Sequence, residues 1–252
     1  MTTAGPLRSV WLAVSWLTVV PVPQPRTEID RAAGAGAIAA SPLVGVGLGG
    51  VAAGVGALLS QTALPPIVVG ALVVAVLGLL TRGMHIDGLA DTVDGLGCYG
   101  PPDRAREVMR SGGVGPFGAA ALVVVMLVQA GSLGALVEGH QWYAIAAAVA
   151  VGRLTVPIAC RRGLPAATGG FGELVADSQR WSIGLWSLLA VACAVAVDLD
   201  SWWRGVVTVV VIGAGAWLLS AHCARRLGGV SGDVLGAGVE IGTAVALVAV
   251  AL

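Results

Sequence analysis

Long apolar stretches, each close to the length of a membrane-spanning helix, dominate this 252-residue chain. A transmembrane helix needs about 20 consecutive apolar residues. Seven stretches approach that length: Ala33–Ser60, Leu64–Leu80, Phe117–Val137, Trp142–Cys160, Trp181–Val197, Trp202–Ala221 and Val234–Leu252. Charged residues make up only 11% of the chain, against about 25% in soluble proteins. The sequence therefore predicts an all-α fold, a polytopic integral membrane helix bundle with about seven transmembrane helices.

The remaining apolar segment, Leu7–Val20, is shorter and carries two Trp residues. Such a segment is typical of a helix at the membrane interface, and we expect an interfacial or partly inserted N-terminal helix. No long-period repeat and no shift in composition divides the chain, which predicts one membrane-embedded catalytic domain over residues 1–252. The lipid bilayer is the expected partner, and zero net charge gives no indication of a nucleic-acid partner. Assembly into a homo-oligomer is left open.

The arginines predict how the bundle is oriented. Connections 22–32, 81–116, 161–180 and 222–233 are rich in Arg, whereas the alternate connections hold only Arg204. Basic connections remain on the cytoplasmic side of a membrane. Every second connection is therefore expected on the cytoplasmic face, including the long connection 81–116. Within the first span, Gly45-x-x-x-Gly49 and Gly50-x-x-x-Gly54 predict close helix packing.

Three carboxylates with no Lys or Arg among them, Asp87, Asp91 and Asp94, occupy the connection 81–116. On a helix these positions fall within roughly 60° of one another, so the side chains share one stripe. Like charges so placed repel one another unless a cation lies between them. Oxygen ligands favour Mg²⁺, with Mn²⁺ as an alternative, and such a site at a membrane surface usually handles a diphosphate. The competing interpretation is a merely polar, solvated loop.

Two further segments on the same face could bind an anionic substrate. Arg106 and Arg110 share a helix face ahead of a Gly-rich stretch whose N–H groups could surround a phosphate; the alternative is ordinary lipid-facing arginines. The second segment, Leu-Gly228-Gly229-Val-Ser231-Gly-Asp233, precedes the last apolar stretch. Its Ser or Asp could simply cap that helix, while its glycines clear space for a substrate.

Ionisable residues inside apolar stretches are costly and indicate function or a buried partner. Glu240 lies two turns inside the last stretch and Arg153 lies inside the fourth, so Arg153 is a plausible counter-charge for Glu240. His85 stands two residues before the first acid of the stripe. We weigh a structural role and a functional role for it equally.

Three blocks of the chain resemble the cobalamin synthase family, the adenosylcobinamide-GDP ribazoletransferases: His85-Ile-Asp87-Gly-Leu-Ala-Asp91-Thr-Val-Asp94-Gly, Glu107-Val-Met-Arg110 with Val114-Gly-Pro-Phe-Gly118, and Leu227-Gly-Gly-Val-Ser-Gly-Asp233. The resemblance runs nearly end to end. It implies a Mg²⁺-dependent enzyme of the inner membrane with its active site on the cytoplasmic face. Such an enzyme joins adenosylcobinamide-GDP to α-ribazole, or to its 5′-phosphate, and releases GMP.

The resemblance also implies roles for the candidate residues. We expect metal ligation by Asp87, Asp91 and Asp94, proton transfer by one of these acids or Asp233, and substrate binding by His85, Arg110, Arg153, Gly228, Gly229, Ser231 and Glu240. The runner-up function is a phospholipid synthase like the CDP-alcohol phosphotransferases, although their motif places Arg where this chain has Asp91. An intramembrane prenyltransferase usually has two acidic sites on different helices. An ion-coupled transporter usually places its acids near the bilayer midplane.

Overall fold

The computed structural model describes residues 5–23, 29–168 and 170–252, and these residues form twelve helices. They are α1 (Pro6–Leu17), α2 (Arg31–Leu59), α3 (Pro66–Leu80), α4 (Met84–Gly97), α5 (Pro102–Arg110), α6 (Pro116–Glu138), α7 (Trp142–Gly152), α8 (Thr155–Ala159), α9 (Phe171–Val175), α10 (Trp181–Val195), α11 (Trp202–Leu227) and α12 (Gly232–Ala251). The prediction of an all-α polytopic membrane bundle is confirmed.

The number of spans is the part of the prediction that changes. Within the described residues, five helices are long and apolar enough to cross a membrane: Arg31–Leu59, Pro116–Glu138, Trp142–Ala159, Trp202–Leu227 and Gly232–Ala251. The bent pair of α3 and α4 makes a sixth when it is counted as one span. The other two predicted spans are α3 and α10, with 15 residues each. A helix of that length extends about 22 Å, less than the roughly 30 Å of a bilayer's hydrocarbon core.

Proline residues shape two of the spans. Pro42 lies inside α2, where its missing N–H leaves the Ile38 carbonyl without its helical partner. The Ser41 hydroxyl donates a hydrogen bond of 2.8 Å to that carbonyl, so α2 continues. Pro157 likewise cannot bond to the carbonyl of Arg153, and the span Trp142–Ala159 breaks between α7 and α8 at Arg153–Leu154. The break places a charged residue at an irregular point of the bundle.

Glycines bring α2 and α7 into close contact, as the first small-residue motif predicts. A Cβ atom at Gly45 would lie 2.7 Å from Cδ of Arg153, and one at Gly49 would overlap the backbone of Ala146. The second predicted motif differs, because Gly50 and Gly54 have open space beside them within the described chain. Only the first motif therefore packs helices together in this structure.

The N-terminal helix α1 forms where an interfacial or partly inserted helix is expected. It rests on α2 with Leu12 and Ala13 buried, and its twelve residues are too few to cross a bilayer. After the helix ends, the Val19 N–H donates a hydrogen bond of 2.8 Å to the carbonyl of Leu80. The end of α1 is thereby fixed to the end of α3.

A right-angled junction connects α3 to α4. Arg82 and Gly83 both have positive φ, at 56° and 67°, and the axes of α3 and α4 differ by 93°. We therefore treat α4 as lying outside the membrane-spanning segments. The acids do not lie in an extended loop, because the connection 81–116 folds into α4 and α5, with α4 packed on α12 and α6.

Candidate active site

The first two acids of the stripe lie on one face of α4, beside the start of α12. Asp87 and Asp91 are separated by one helical turn, so their side chains project in the same direction. Between them, Gly88 packs against Asp233: a Cβ atom there would lie 2.7 Å from the carbonyl oxygen of Asp233 and 2.8 Å from its Cα. Gly236 makes a similar close approach to the backbone of His85. Glycines thus hold Asp87, Asp91 and Asp233 in one small region.

The third acid of the predicted stripe has a different environment. Asp94 is buried, and its carboxylate accepts hydrogen bonds of 2.7 Å from the Gly115 N–H and 2.9 Å from the Gly118 N–H. These N–H groups belong to the first turn of α6, which has no helical acceptor for them. Asp94 therefore caps α6 from another helix, and its charge faces the positive end of the α6 dipole.

The remaining acids crowd one another without a counter-charge. In the described part of the chain, the Arg–carboxylate ion pairs are Arg104–Glu107 and Arg106–Asp103, both on α5. Desolvation and the charges of Asp87, Asp233 and Asp94 raise the pKa of Asp91 to about 6. A cation among these carboxylates would relieve the repulsion, and their hard oxygen atoms suit Mg²⁺.

The donor set fits a Mg²⁺ ion that is completed by substrate. Within the described residues, no group of three His, Cys, Asp or Glu side chains is close enough to hold a metal ion alone. Mg²⁺ commonly uses only one or two carboxylates together with water and substrate phosphates. Asp87 and Asp91, with Asp233 adjacent, could supply those carboxylates. Of the three ligands predicted from sequence, Asp87 and Asp91 share one face of α4, whereas the Asp94 carboxylate caps α6.

A small cavity of about 220 Å³ adjoins Asp233 on one side. Arg106 and Arg110 line it, and each anchors a neighbouring segment: Arg106 donates to the Leu227 carbonyl at 3.0 Å and Arg110 to the Thr168 carbonyl at 3.2 Å. Each guanidinium carries five N–H donors, so further donors remain for a ligand. The position and charge of this cavity suit a phosphate group.

The Gly-rich block before α12 forms the tight turn that shapes this cavity. Gly228 ends α11 with φ of 78°, and Gly229 has φ of 152° and packs on the backbone of Ala166. Ser231 caps α12 by accepting a hydrogen bond of 3.4 Å from the Val234 N–H. Its hydroxyl also lies 3.1 Å from the Asp233 carboxylate. The capping interpretation thus holds for Ser231 and leaves Asp233 at the cavity wall.

A larger cavity of about 630 Å³ lies on the other side of Asp233. His85 and Asp87 line it, together with Trp16 of α1 and Phe171 of α9. Burial and the charge of Arg153 lower the pKa of His85 well below its usual value. The roles of Trp16 and Phe171 could not be found from a motif, because both belong to segments distant in sequence from the acids.

Arg153 and Glu240 line a third chamber, between α3, α4, α6, α7 and α12, which shares Val239 with the larger cavity. Gln129 of α6 donates a hydrogen bond of 2.8 Å to the Glu240 carboxylate. Nε and Nη1 of Arg153 are buried without a hydrogen-bond partner. The sequence analysis missed Gln129, although an amide in an apolar span signals an interhelical hydrogen bond. The predicted substrate contacts of Arg153 and Glu240 stay a prediction.

Gly88→Ala is expected to disrupt the contact between α4 and α12. The added Cβ would meet backbone atoms of Asp233, which cannot rotate away as a side chain could. We expect a lower melting temperature in detergent and loss of at least nine-tenths of the activity that the resemblance implies. Gly184→Ala on α10 is the matched control because its Cβ would meet open space. Equal behaviour of the two variants would contradict the close approach.

Comparisons with known proteins agree with the residue pattern. The family model of cobalamin-5-phosphate synthase matches residues 9–251. Similar curated proteins, each named adenosylcobinamide-GDP ribazoletransferase, include one from Corynebacterium efficiens at 36% identity, covering 95% of this chain and 89% of the relative. One from Frankia casuarinae is 39% identical over 95% of this chain and 93% of its own length. One from Nocardioides sp. is 38% identical over 96% of this chain and 98% of its own length. No solved structure matches the chain.

Proposed function

The chain belongs to the cobalamin-5-phosphate synthase family, and on that premise we propose that it transfers adenosylcobinamide phosphate from adenosylcobinamide-GDP to α-ribazole or its 5′-phosphate. A ribose hydroxyl oxygen forms a bond to the phosphorus attached to the cobinamide. The bond from that phosphorus to the bridging oxygen breaks, and GMP leaves with the electron pair. The hydroxyl proton passes to a carboxylate of the protein.

The observation that carries this proposal is the position of Asp233 between two cavities, with Asp87 and Asp91 close beside it. Asp233 lines both cavities, and Asp87 lines the larger one. Asp91 lies one turn along α4. A phosphorus held at Asp233 could be approached from one cavity while the leaving group departs into the other, as an in-line displacement requires.

Mg²⁺, when held by Asp87 and Asp91, would neutralise charge on the diphosphate and make GMP a better leaving group. The protein's own groups have complementary roles. Asp233 is the acid best placed to accept the hydroxyl proton, because Ser231 orients its carboxylate. Arg106 and Arg110 stabilise the charge that develops on the departing GMP phosphate.

The membrane setting supports a cytoplasmic active site. The basic residues Arg104, Arg106 and Arg110 all belong to α5, on the same side as the acids. Basic segments remain on the cytoplasmic face, where nucleotides are available, and this supports the proposed orientation. We therefore propose an inner-membrane enzyme whose substrates enter from the cytoplasm.

The direct test is GMP release by membranes that contain the protein. With adenosylcobinamide-GDP, α-ribazole and Mg²⁺, we expect stoichiometric GMP and corrinoid product. Chelation with EDTA should stop the reaction, and added Mg²⁺ or Mn²⁺ should restore it. A parallel reaction with a CDP-linked lipid should release no CMP. Absence of GMP release from well-folded protein, or CMP release from the lipid substrate, would overturn the proposal.

A further inference from the structure

Two cavities of different chemistry flank Asp233. They share Phe171, Gly232 and Asp233, and their other walls differ. The smaller cavity, of about 220 Å³, has two arginines in its wall. The larger one, of about 630 Å³, falls within the 300–1,000 Å³ usual for small-molecule sites. The two substrates of one transfer reaction therefore have two separate places available beside the same acid.

The larger cavity is apolar except along one side. Its polar side groups come from the starts of α4 and α12, namely His85, Asp87 and Asp233, with Arg82 and Ser15 at the α1 edge. The rest of its wall is apolar: Trp16, Leu17, Ile29, Ile38, Met84, Val156, Phe171, Leu174, Leu235 and Val239. The rings of Trp16 and Phe171 pack edge to face with centroids 5.0 Å apart and planes at 76°. Such a wall suits a flat, apolar aromatic ligand.

We propose that the larger cavity binds the dimethylated benzimidazole base of α-ribazole, with the ribose directed toward Asp87 and Asp233. This assignment rests on the proposed function and identifies which substrate occupies which cavity. The aromatic base has two methyl groups and few polar atoms. Binding against an apolar wall therefore leaves few of its polar atoms without a hydrogen-bond partner. The ribose hydroxyls then lie beside the acids, where deprotonation of the attacking oxygen is required.

The guanosine diphosphate part fits this cavity poorly. Guanine carries donors and acceptors on several edges, and burying them against apolar residues without partners is costly. The arginines of the smaller cavity supply the positive charge that phosphates need. The chemistry of each wall thus selects one substrate.

Trp16→Leu tests the assignment, with Trp11→Leu as a matched control. Both residues belong to α1, but Trp11 lines neither cavity and is 48% exposed. Loss of the aromatic wall should raise the Kd for α-ribazole, measured by calorimetry in detergent, about tenfold. The KM for α-ribazole should rise similarly, whereas the KM for adenosylcobinamide-GDP should stay within twofold. Trp16→Phe, which keeps an aromatic ring, should recover most of the affinity.

Arg110→Gln should show the opposite pattern, with a raised KM for adenosylcobinamide-GDP and unchanged binding of α-ribazole. If Trp16→Leu fails to fold, Leu174→Trp provides a second variant, since added bulk at the cavity wall should also weaken α-ribazole binding. The assignment is overturned if Trp16→Leu and Leu174→Trp leave α-ribazole binding unchanged, or if they weaken the other substrate instead.

The outcomes separate this assignment from the proposed function. Wild-type protein that releases GMP, with variants that shift only the KM for adenosylcobinamide-GDP, refutes the assignment alone. Wild-type protein that binds α-ribazole through Trp16 but never releases GMP refutes the reaction and retains the cavity assignment. Wild-type protein that neither releases GMP nor binds α-ribazole would refute both the reaction and the cavity assignment.

Discussion

Asp91→Asn is expected to abolish GMP release while the protein keeps the melting temperature of the wild type. Asp91 lies on the acidic face of α4, where neighbouring carboxylates disfavour its charge. Replacing it with a neutral amide removes repulsion from the folded protein, so stability should not fall. A ligand for the proposed Mg²⁺ is lost at the same time. Because metal stabilisation of a phosphoryl transition state amounts to several kcal/mol, we expect activity to fall by about a thousandfold or more.

Asp200→Asn is the matched control for this variant. Asp200 is exposed in the connection between α10 and α11, outside both cavities. The control should retain wild-type turnover and the same dependence on Mg²⁺ concentration. GMP release should be followed at several Mg²⁺ concentrations, because partial rescue at high Mg²⁺ would support a weakened metal site. Wild-type turnover in Asp91→Asn would remove Asp91 from the proposed chemistry.

Asp94→Ala should have the opposite profile, with a large loss of stability. The variant leaves the N–H groups of Gly115 and Gly118 without the acceptor they have in the native fold. A buried unsatisfied group costs about 1–3 kcal/mol. The Gly118 N–H is buried and the Gly115 N–H part-buried, so the two predict a loss of up to about 6 kcal/mol in the free energy of unfolding. Asp94→Asn keeps one carbonyl oxygen as acceptor and should lose less. Thermal melting in detergent measures both variants.

The comparison between Asp91→Asn and Asp94→Ala distinguishes two uses of the same motif. Residual activity of Asp94→Ala should be assayed well below its melting temperature, where the protein is still folded. There we expect turnover much closer to wild type than that of Asp91→Asn. A variant with unchanged melting temperature and no activity would contradict the capping role and return Asp94 to the metal site.

Local patterns in the sequence predicted the face that Asp87 and Asp91 share, because helical periodicity fixes it. They also indicated Ser231 as one of two possible caps of the last helix, and it caps α12. The role of Asp94 could not be predicted, since its partners are N–H groups that lie 21 and 24 residues further along the chain. The fold brings them together through the turn between α5 and α6. The helical periodicity of α4 gives no information about this contact with α6.

The cavities were beyond sequence reasoning for a related reason. Trp16 and Phe171 come from α1 and α9, and only the packing of these helices against α4 and α12 makes them neighbours. Arg153 and Glu240 line the same chamber, as their expected proximity requires, and their expected role in substrate binding stays a prediction. Because a charge inside a span is costly, a charged residue there indicates a function or a buried partner. The sequence does not indicate whether that charge faces a substrate or another helix.

The junction at Arg82–Gly83 has a consequence for how the enzyme responds to its lipid environment. Helices adjust their tilt when bilayer thickness does not match their apolar length, and α3 is short enough to be sensitive to such mismatch. Because of the 93° bend, α4 does not continue the axis of α3, and it is held mainly by α12 and α6. We therefore expect the carboxylates to keep their spacing in thin and thick membranes alike, so turnover should vary little with acyl-chain length.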